Sequence, residues 1–316
     1  MTSRIITLTL NPAVDLACEA DSIVPTRKVR TSAEQFDPGG GGINVARVVR
    51  ELGGEALAVL LAGGGTGRFL QELLDEARVE CLSIPVSGRT RISVTVHERS
   101  SGLEYRLVPE GPPITAADWD AVLEALARVD GSWIVASGSL PRGAPVDAYA
   151  HIARICARRG QHFVLDSSGA PLNAALGEGA TLIKPSLGEL EGLVGHAVRD
   201  PREQEREAMQ LVRAGAAEMM VVTLGAAGAI LANRSGVIRR PAPQVPMRSA
   251  VGAGDSFLAA MTLGLATGLA PEEAFARGIA AGSAAVMRYG TAHPQRADVE
   301  ELYRQMMGND QQRGPA

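Results

Sequence analysis

The chain has 316 residues, 46% of them hydrophobic, and a formal net charge of −4. That is enough apolar material for one large α/β domain with an appendage, and the charge excludes a polybasic nucleic-acid or membrane binder. All but two of the 31 basic residues are arginine; the exceptions are Lys28 and Lys184. Arginine cannot stand in for lysine where a compact point charge is needed. The two lysines are therefore candidates for specific work, against the alternative of chance survival.

The start, "MTSRIITLTLNP", reads as a strand ending in an Asn-Pro turn, too short in its apolar run for a signal peptide. Residues 27–36 alternate polar and apolar as an exposed strand. Four glycines, 39–42, precede a helix over 43–52 that ends at Gly53-Gly54. "EALAVLLAG" is a buried strand and "GTGRFLQELLDEARV" an amphipathic helix. "TRISVTVHE" and "LEYRLVP" form a hairpin through "RSSG".

From Thr115 strands and helices take turns. Helices are predicted at "AADWDAVLEALARV", "VDAYAHIARICARRG", "SLGELEGLVG" and "REQEREAMQLVRAG". Strands are predicted at "SWIVASG", "HFVLDSSG", "TLIKP", "MMVVTLG" and "AAGAILA". Two Ala/Gly-rich helices start near Gly254 and Pro271, and "NDQQRGPA" is expected to fray. The alternation predicts a mostly parallel sheet with helices on both faces. The polar strands do not fit that sheet. Residues 12–37 and 88–108 are assigned to a small β-sheet lid, and 1–11, 38–87 and 109–316 to the core. No uncharged run reaches a membrane span. Cys18, Cys81 and Cys156 fit no metal pattern and point to a reducing compartment. A soluble, cytoplasmic protein is expected.

Four stretches carry chemistry. Glycines before a helix start let backbone N–H groups approach a ligand, though a tight turn would also need them. Asn44 and Asp15 nearby suit sugar hydroxyls. In "SAVGAGDSF", Gly252, Ala253 and Gly254 can present N–H groups to an anion at a helix start. Asp255 beside such a hole suits a base that takes a proton from a nucleophile; the alternative is a helix N-cap. In "LIKPSLGEL", Lys184 at a strand end and Glu189 near a helix start suit polyphosphate and hydrated Mg²⁺. "TLGAAG", Thr223 to Gly228, is a strand ending in a glycine turn, compatible with nucleotide contact. The five histidines show no ligand spacing.

Together and in this order, these stretches resemble the ribokinase-like (PfkB) family of sugar and nucleoside kinases. "VGAGDSF" and the glycine run match its two signatures, and the resemblance covers essentially the whole chain. "TLTLNPAVD", "FDPGGGGINVAR", "ASGSLPRG", "LDSSG" and "GSAAV" are similar to its phosphofructokinase branch, nearest the minor bacterial type. The resemblance implies a ribokinase-like α/β fold with a lid, and MgATP-dependent phosphorylation of fructose 6-phosphate at C1. Tagatose 6-phosphate or fructose 1-phosphate is the alternative substrate, and a non-catalytic nucleotide or sugar-phosphate sensor the rival class.

By the same resemblance, Asp255 is the base and Gly252, Ala253 and Gly254 form the anion hole. Asp15, Gly40, Gly41 and Asn44 contact the sugar, with the glycine run leaving room for it. Ser137, Arg91, Arg106, Lys28 and Arg30 surround the sugar phosphate. Lys184, Thr223, Gly225 and Gly228 hold ATP, and Glu189 organises Mg²⁺ through water. Fructose 1-phosphate kinases commonly carry Lys in the glycine motif where this chain has Gly41. The family's Asn-x-x-Glu metal motif reads Ser186-Leu187-Gly188-Glu189 here. A homodimer through the lid is implied.

Overall fold

The computed structural model describes residues 4–288 and 293–313. The first strand, β1 (Ile5–Thr9), is buried at every residue, as expected when both faces of a strand are covered. β2 (Ala13–Ala20) and β3 (Thr31–Gly39) follow, then α1 (Gly41–Glu51), β4 (Ala56–Ala62), α2 (Gly64–Glu76) and β5 (Cys81–Pro85). The hairpin is β6 (Arg91–Glu98) and β7 (Glu104–Leu107). Alternation then gives α3 (Ala116–Arg128), β8 (Trp133–Ser137), α4 (Ala148–Arg158), β9 (His162–Asp166), α5 (Gly169–Ala175), β10 (Leu182–Ile183) and α6 (Leu187–Val194). The chain continues through α7 (Pro201–Arg213), β11 (Met219–Thr223), β12 (Ala229–Asn233), β13 (Gly236–Arg240), α8 (Ala253–Ala266), α9 (Pro271–Ala285) and α10 (Arg296–Arg313).

Among the described residues the strands form two sheets. The nine-stranded one runs β13-β12-β11-β10-β9-β8-β1-β4-β5, and only β12 runs antiparallel to the rest. Apolar residues of α1, α8 and α9 pack on one face and those of α3 and α4 on the other. This is the expected mostly parallel sheet with helices on both sides. No described helix is long and apolar enough to cross a membrane.

The four-stranded sheet runs β3-β2-β6-β7, with β2 parallel to β6. Its faces separate by strand alternation. Cross-strand neighbours Phe36, Leu16, Val94 and Leu107 make an apolar row. Asp37, Asp15 and Ser93 make a polar row on the opposite face. On the apolar side Phe36 meets Phe69 of α2 edge-on, with ring centroids 5.3 Å apart.

The structure adds elements that the sequence pattern did not announce. β2, "AVDLACEA", is poor in β-formers and is held as a strand by partners on both sides. β5 is a short edge strand closed by a proline. α5, β13 and α10 were also unannounced. α10 reaches Arg313, past the start of the segment expected to fray, and residues 314–316 lie outside the described residues.

Candidate active site

The carboxyl ends of parallel strands meet the starts of α1 and α8, the usual place for a ligand in an open α/β sheet. Asp255 lies in the first turn of α8, but the N-cap is Gly252, with φ +75°, and no side chain caps the helix. The reading of Asp255 as an N-cap is therefore set aside. The first backbone N–H groups of α8 lack intrahelical partners, and a Cβ on Gly252 would meet nothing within 4 Å. This end is an open cradle of N–H donors.

The Asp255 carboxylate is held from two sides. Asn44 Nδ2 of α1 donates to Oδ2 at 2.9 Å, and Ser137 Oγ, at the end of β8, donates to Oδ1 at 3.3 Å. Desolvation, reinforced by the Asp166 charge, raises its pKa to about 6, with Asn44, Lys184 and Ser137 acting in opposition. A carboxylate near neutrality is suited to taking a proton. The other end of the Asn44 amide, Oδ1, is buried and has no hydrogen-bond partner. A ligand hydroxyl donating there would satisfy it.

Lys184 follows β10 and is 5% exposed. Its Nζ lies 3.1 Å from Asp166 Oδ2, and a Cβ on Gly254 would come within 3.3 Å of that Nζ. Burial opposes the ammonium charge, yet Asp166, Asp255 and Glu189 outweigh it and hold the pKa above its ordinary value. Burial pushes Asp166 up, with Lys184 pulling against it. Sequence reasoning missed Asp166. It is the last residue of β9, and β9 pairs in parallel with β10, so Asp166 and Lys184 leave neighbouring strand ends together.

Ser186 and Glu189 form a reciprocal capping box at α6: the Ser186 N–H donates to Glu189 Oε2 at 2.7 Å, and the Glu189 N–H donates to Ser186 Oγ at 3.3 Å. An isolated parallel bridge joins Ser186 to Thr223 at the end of β11. Gly225, φ +59°, opens the following 3₁₀ turn, with open space where a Cβ would stand. Gly228 differs. A Cβ there would lie 2.0 Å from the Arg240 carbonyl oxygen, so packing of the turn against β13 already demands glycine.

The glycine run is also explained at close range. A Cβ on Gly40 would lie 2.6 Å from Thr9 Cγ2, and one on Gly42 would lie 2.5 Å from the Leu8 carbonyl oxygen. A Cβ on Gly39 would lie 2.3 Å from the Asp15 carboxylate, and one on Gly41 2.1 Å from Ser137 Oγ. The atoms that exclude side chains here belong to the protein itself. Two of them are on Asp15 and Ser137, which Gly39 at the end of β3 and Gly41 at the start of α1 approach at backbone distance.

Burial raises the Asp15 pKa to about 6; Arg106 and Arg91 act against it and Asp37 with it. Arg91 Nη2 donates to the Asn11 carbonyl at 2.8 Å, Nη1 to the Pro109 carbonyl at 2.8 Å and Nε to the Pro12 carbonyl at 3.4 Å. The side chain thus clasps the four-stranded sheet to the segment that follows β1 while facing Asp15. Arg106 is exposed on β7. Lys28 and Arg30 lie on the exposed connection between β2 and β3, and the structure does not bring them against the other site residues.

Comparison with known proteins follows the same lines. The model of the pfkB family carbohydrate kinases matches residues 8–298. ATP-dependent 6-phosphofructokinase isozyme 2 of Mycobacterium tuberculosis is 42% identical over 302 residues, 95% of this chain and 89% of that protein. 1-Phosphofructokinase of Bacillus subtilis is 33% identical over 96% of this chain and 97% of its own. Phosphofructokinase-2 of Escherichia coli in complex with fructose-6-phosphate superposes with a TM-score of 0.91 at 36% identity, covering 96% of this chain and 99% of that one. A tetrameric inhibited form of the same E. coli enzyme matches equally well, with a TM-score of 0.91.

Proposed function

The chain belongs to the pfkB family of carbohydrate kinases, and from that premise we propose that it transfers the γ-phosphoryl group of ATP to the C1 hydroxyl of fructose 6-phosphate, giving fructose 1,6-bisphosphate. The observation that carries the chemistry is Asp255, poised near pH 6, oriented by Asn44 and Ser137 and set at an uncapped helix start. Phosphoryl transfer asks a protein mainly for positioning and for stabilisation of charge. Asp255 takes the hydroxyl proton as the oxygen attacks the phosphorus in line. The N–H groups at 252–255 and the Lys184 ammonium receive charge on the transferring group. An intact, tuned base favours a kinase over a sensor of nucleotides or sugar phosphates.

Glu189 and Asp166 are carboxylates that sense each other's charge beside Lys184. Oxygen donors of this kind fit a hydrated Mg²⁺, which when bound neutralises charge on the ATP phosphates. Thr223 and Gly225 border the nucleotide from the end of β11.

Asp15, Gly40, Gly41 and Asn44 take the sugar, and Arg91 and Arg106 its phosphate end; Ser137, expected at the phosphate, instead donates to Asp255 and so belongs to the reacting end. Lys28 and Arg30 join them when the lid, residues 12–37 and 88–108, moves over the core and excludes water. The preference for fructose 6-phosphate over fructose 1-phosphate is supported by Gly41, where fructose 1-phosphate kinases commonly carry lysine. The apolar outer row of the lid leaves Phe36 43% and Leu107 62% exposed, which supports pairing of two lids in a homodimer. Phosphorus NMR of the product tests the chemistry. Two inequivalent phosphomonoester signals are expected; fructose 6-phosphate with free inorganic phosphate would mean hydrolysis instead of transfer.

Arg91→Ala is expected to raise KM for the phosphosugar far more than KM for ATP, since a charge-assisted hydrogen bond is worth on the order of 1.5–3 kcal/mol. It should also lower the melting temperature, because three backbone carbonyls lose their donor. An equal rise in both constants would show that Arg91 is a clasp alone.

Ser186→Asn is expected to lower the free Mg²⁺ needed for half-maximal rate. Asparagine caps a helix as well as serine does, so α6 should keep its start. Its amide adds donors and reaches further, which holds metal-bound water more firmly. Rate against free Mg²⁺ at fixed MgATP measures this, and an unchanged or higher requirement would reject it.

A further inference from the structure

Arg47 and Asp37 form an ion pair that the phosphoryl-transfer chemistry above does not use. They are 7% and 8% exposed, with Arg47 Nη2 2.9 Å from Asp37 Oδ1. Arg47 Nη1 also points at the Pro38 carbonyl, at 3.5 Å, and Gln35 Nε2 donates to Asp37 Oδ2 at 3.0 Å. Desolvating two charges costs about as much as their attraction returns, and an apolar pair of similar volume would often serve stability equally well. What an apolar pair lacks is direction.

The direction of this pair is informative. Asp37 lies on β3 directly across from Asp15 on β2, and two residues later Gly39 ends β3 against the Asp15 carboxylate. Arg47 lies on α1 one turn beyond Asn44, the residue that holds Asp255. The bond therefore ties the end of a lid strand, where the sugar-binding corner forms, to the core helix that orients the base. We propose that Arg47 and Asp37 are positioning residues that fix the Asp15–Gly39 corner relative to Asn44 and Asp255, and so set the affinity for the phosphosugar. This rests on the assignment of Asp15 to the sugar.

The test uses Arg47→Met, Asp37→Asn and the double variant Arg47→Met/Asp37→Leu, with Asp15→Asn as control. Melting temperature, kcat and both KM values are read for each. The double variant removes both charges and should recover most of the melting temperature that Arg47→Met loses. Its KM for fructose 6-phosphate should nevertheless stay roughly tenfold or more above wild type, as misplacement of a contact residue demands, with KM for ATP within about twofold. Asp37→Asn keeps an acceptor but loses charge assistance, and should raise the sugar KM a few-fold.

A double variant with normal sugar KM, or with both KM values raised alike, would overturn the proposal by showing that the pair only fills space. Should the double variant not fold, an unchanged sugar KM in Asp37→Asn overturns it equally. If Asp15→Asn leaves the sugar KM unchanged, the sugar assignment itself fails and the proposal with it. If Asp15→Asn raises that KM while the pair variants do not, only the positioning role is lost.

Discussion

Asp255→Asn is expected to leave phosphosugar binding nearly intact and to lower kcat by roughly 10²–10⁴, the usual loss when a positioned base is removed. The amide keeps the shape of the carboxyl: its oxygen can still accept from Asn44 and its NH2 can donate to the Ser137 hydroxyl, so the site should keep its geometry. It cannot take the C1 proton. The wild-type pH profile should carry the same signature. Asp255 has a pKa of about 6, so kcat should fall as pH drops through about 6, when the base becomes protonated. That acid limb should be missing from the residual rate of the variant. Asp15 is pushed into the same range by burial, but under its proposed assignment to the sugar its titration should appear in kcat/KM. Unchanged kcat in Asp255→Asn at saturating ATP and sugar would remove Asp255 from the mechanism.

Lys184→Met should produce the second large effect, on stability and catalysis together. The substitution keeps the aliphatic stem and deletes the charge. Asp166 then has no ammonium at 3.1 Å. Removing one partner of a buried ion pair typically costs about 3–5 kcal/mol. Lys184 also pulls the Asp255 pKa down, so its loss should move the acid limb of kcat to higher pH. Lys184→Arg should be harmful for a different reason. The compact Nζ lies 3.1 Å from Asp166 Oδ2 on a side chain that is almost wholly buried, and a broad planar guanidinium does not reproduce that point charge. Denaturant midpoints and pH profiles of both variants measure these effects. A wild-type midpoint with an unmoved acid limb would show that Lys184 does not organise the carboxylates.

Local order made the frame of the protein legible in its sequence. Apolar runs such as "EALAVLLAG" and the alternation after Thr115 gave the large sheet, because burial on both faces leaves a plain hydrophobic signature. The "GAGD" stretch marked the start of α8 for the same kind of reason: its glycines have a local conformational cause. Lysine scarcity pointed to Lys184, which proves buried at the centre of the site. The same clue pointed to Lys28, which stands exposed on the connection between β2 and β3.

What stayed hidden is long-range. Asp166 gains its role only from the pairing of β9 with β10, and β2 becomes a strand only between β3 and β6. The neighbours of the glycine run, Thr9, Asp15 and Ser137, come from three separate segments. Ser186 was readable in both senses. The pattern Ser-x-x-Glu is a capping box on its own terms, and the structure shows that box formed with the same glutamate that the metal motif requires.

Transfer from ATP to fructose 6-phosphate is measured with a panel of phosphosugars. ADP release is coupled to a spectroscopic signal with fructose 6-phosphate, fructose 1-phosphate and tagatose 6-phosphate, each against a blank without sugar. The highest kcat/KM is expected with fructose 6-phosphate, with negligible release in the blank. A higher value with either of the other two sugars, or no release above the blank with any of them, would contradict it.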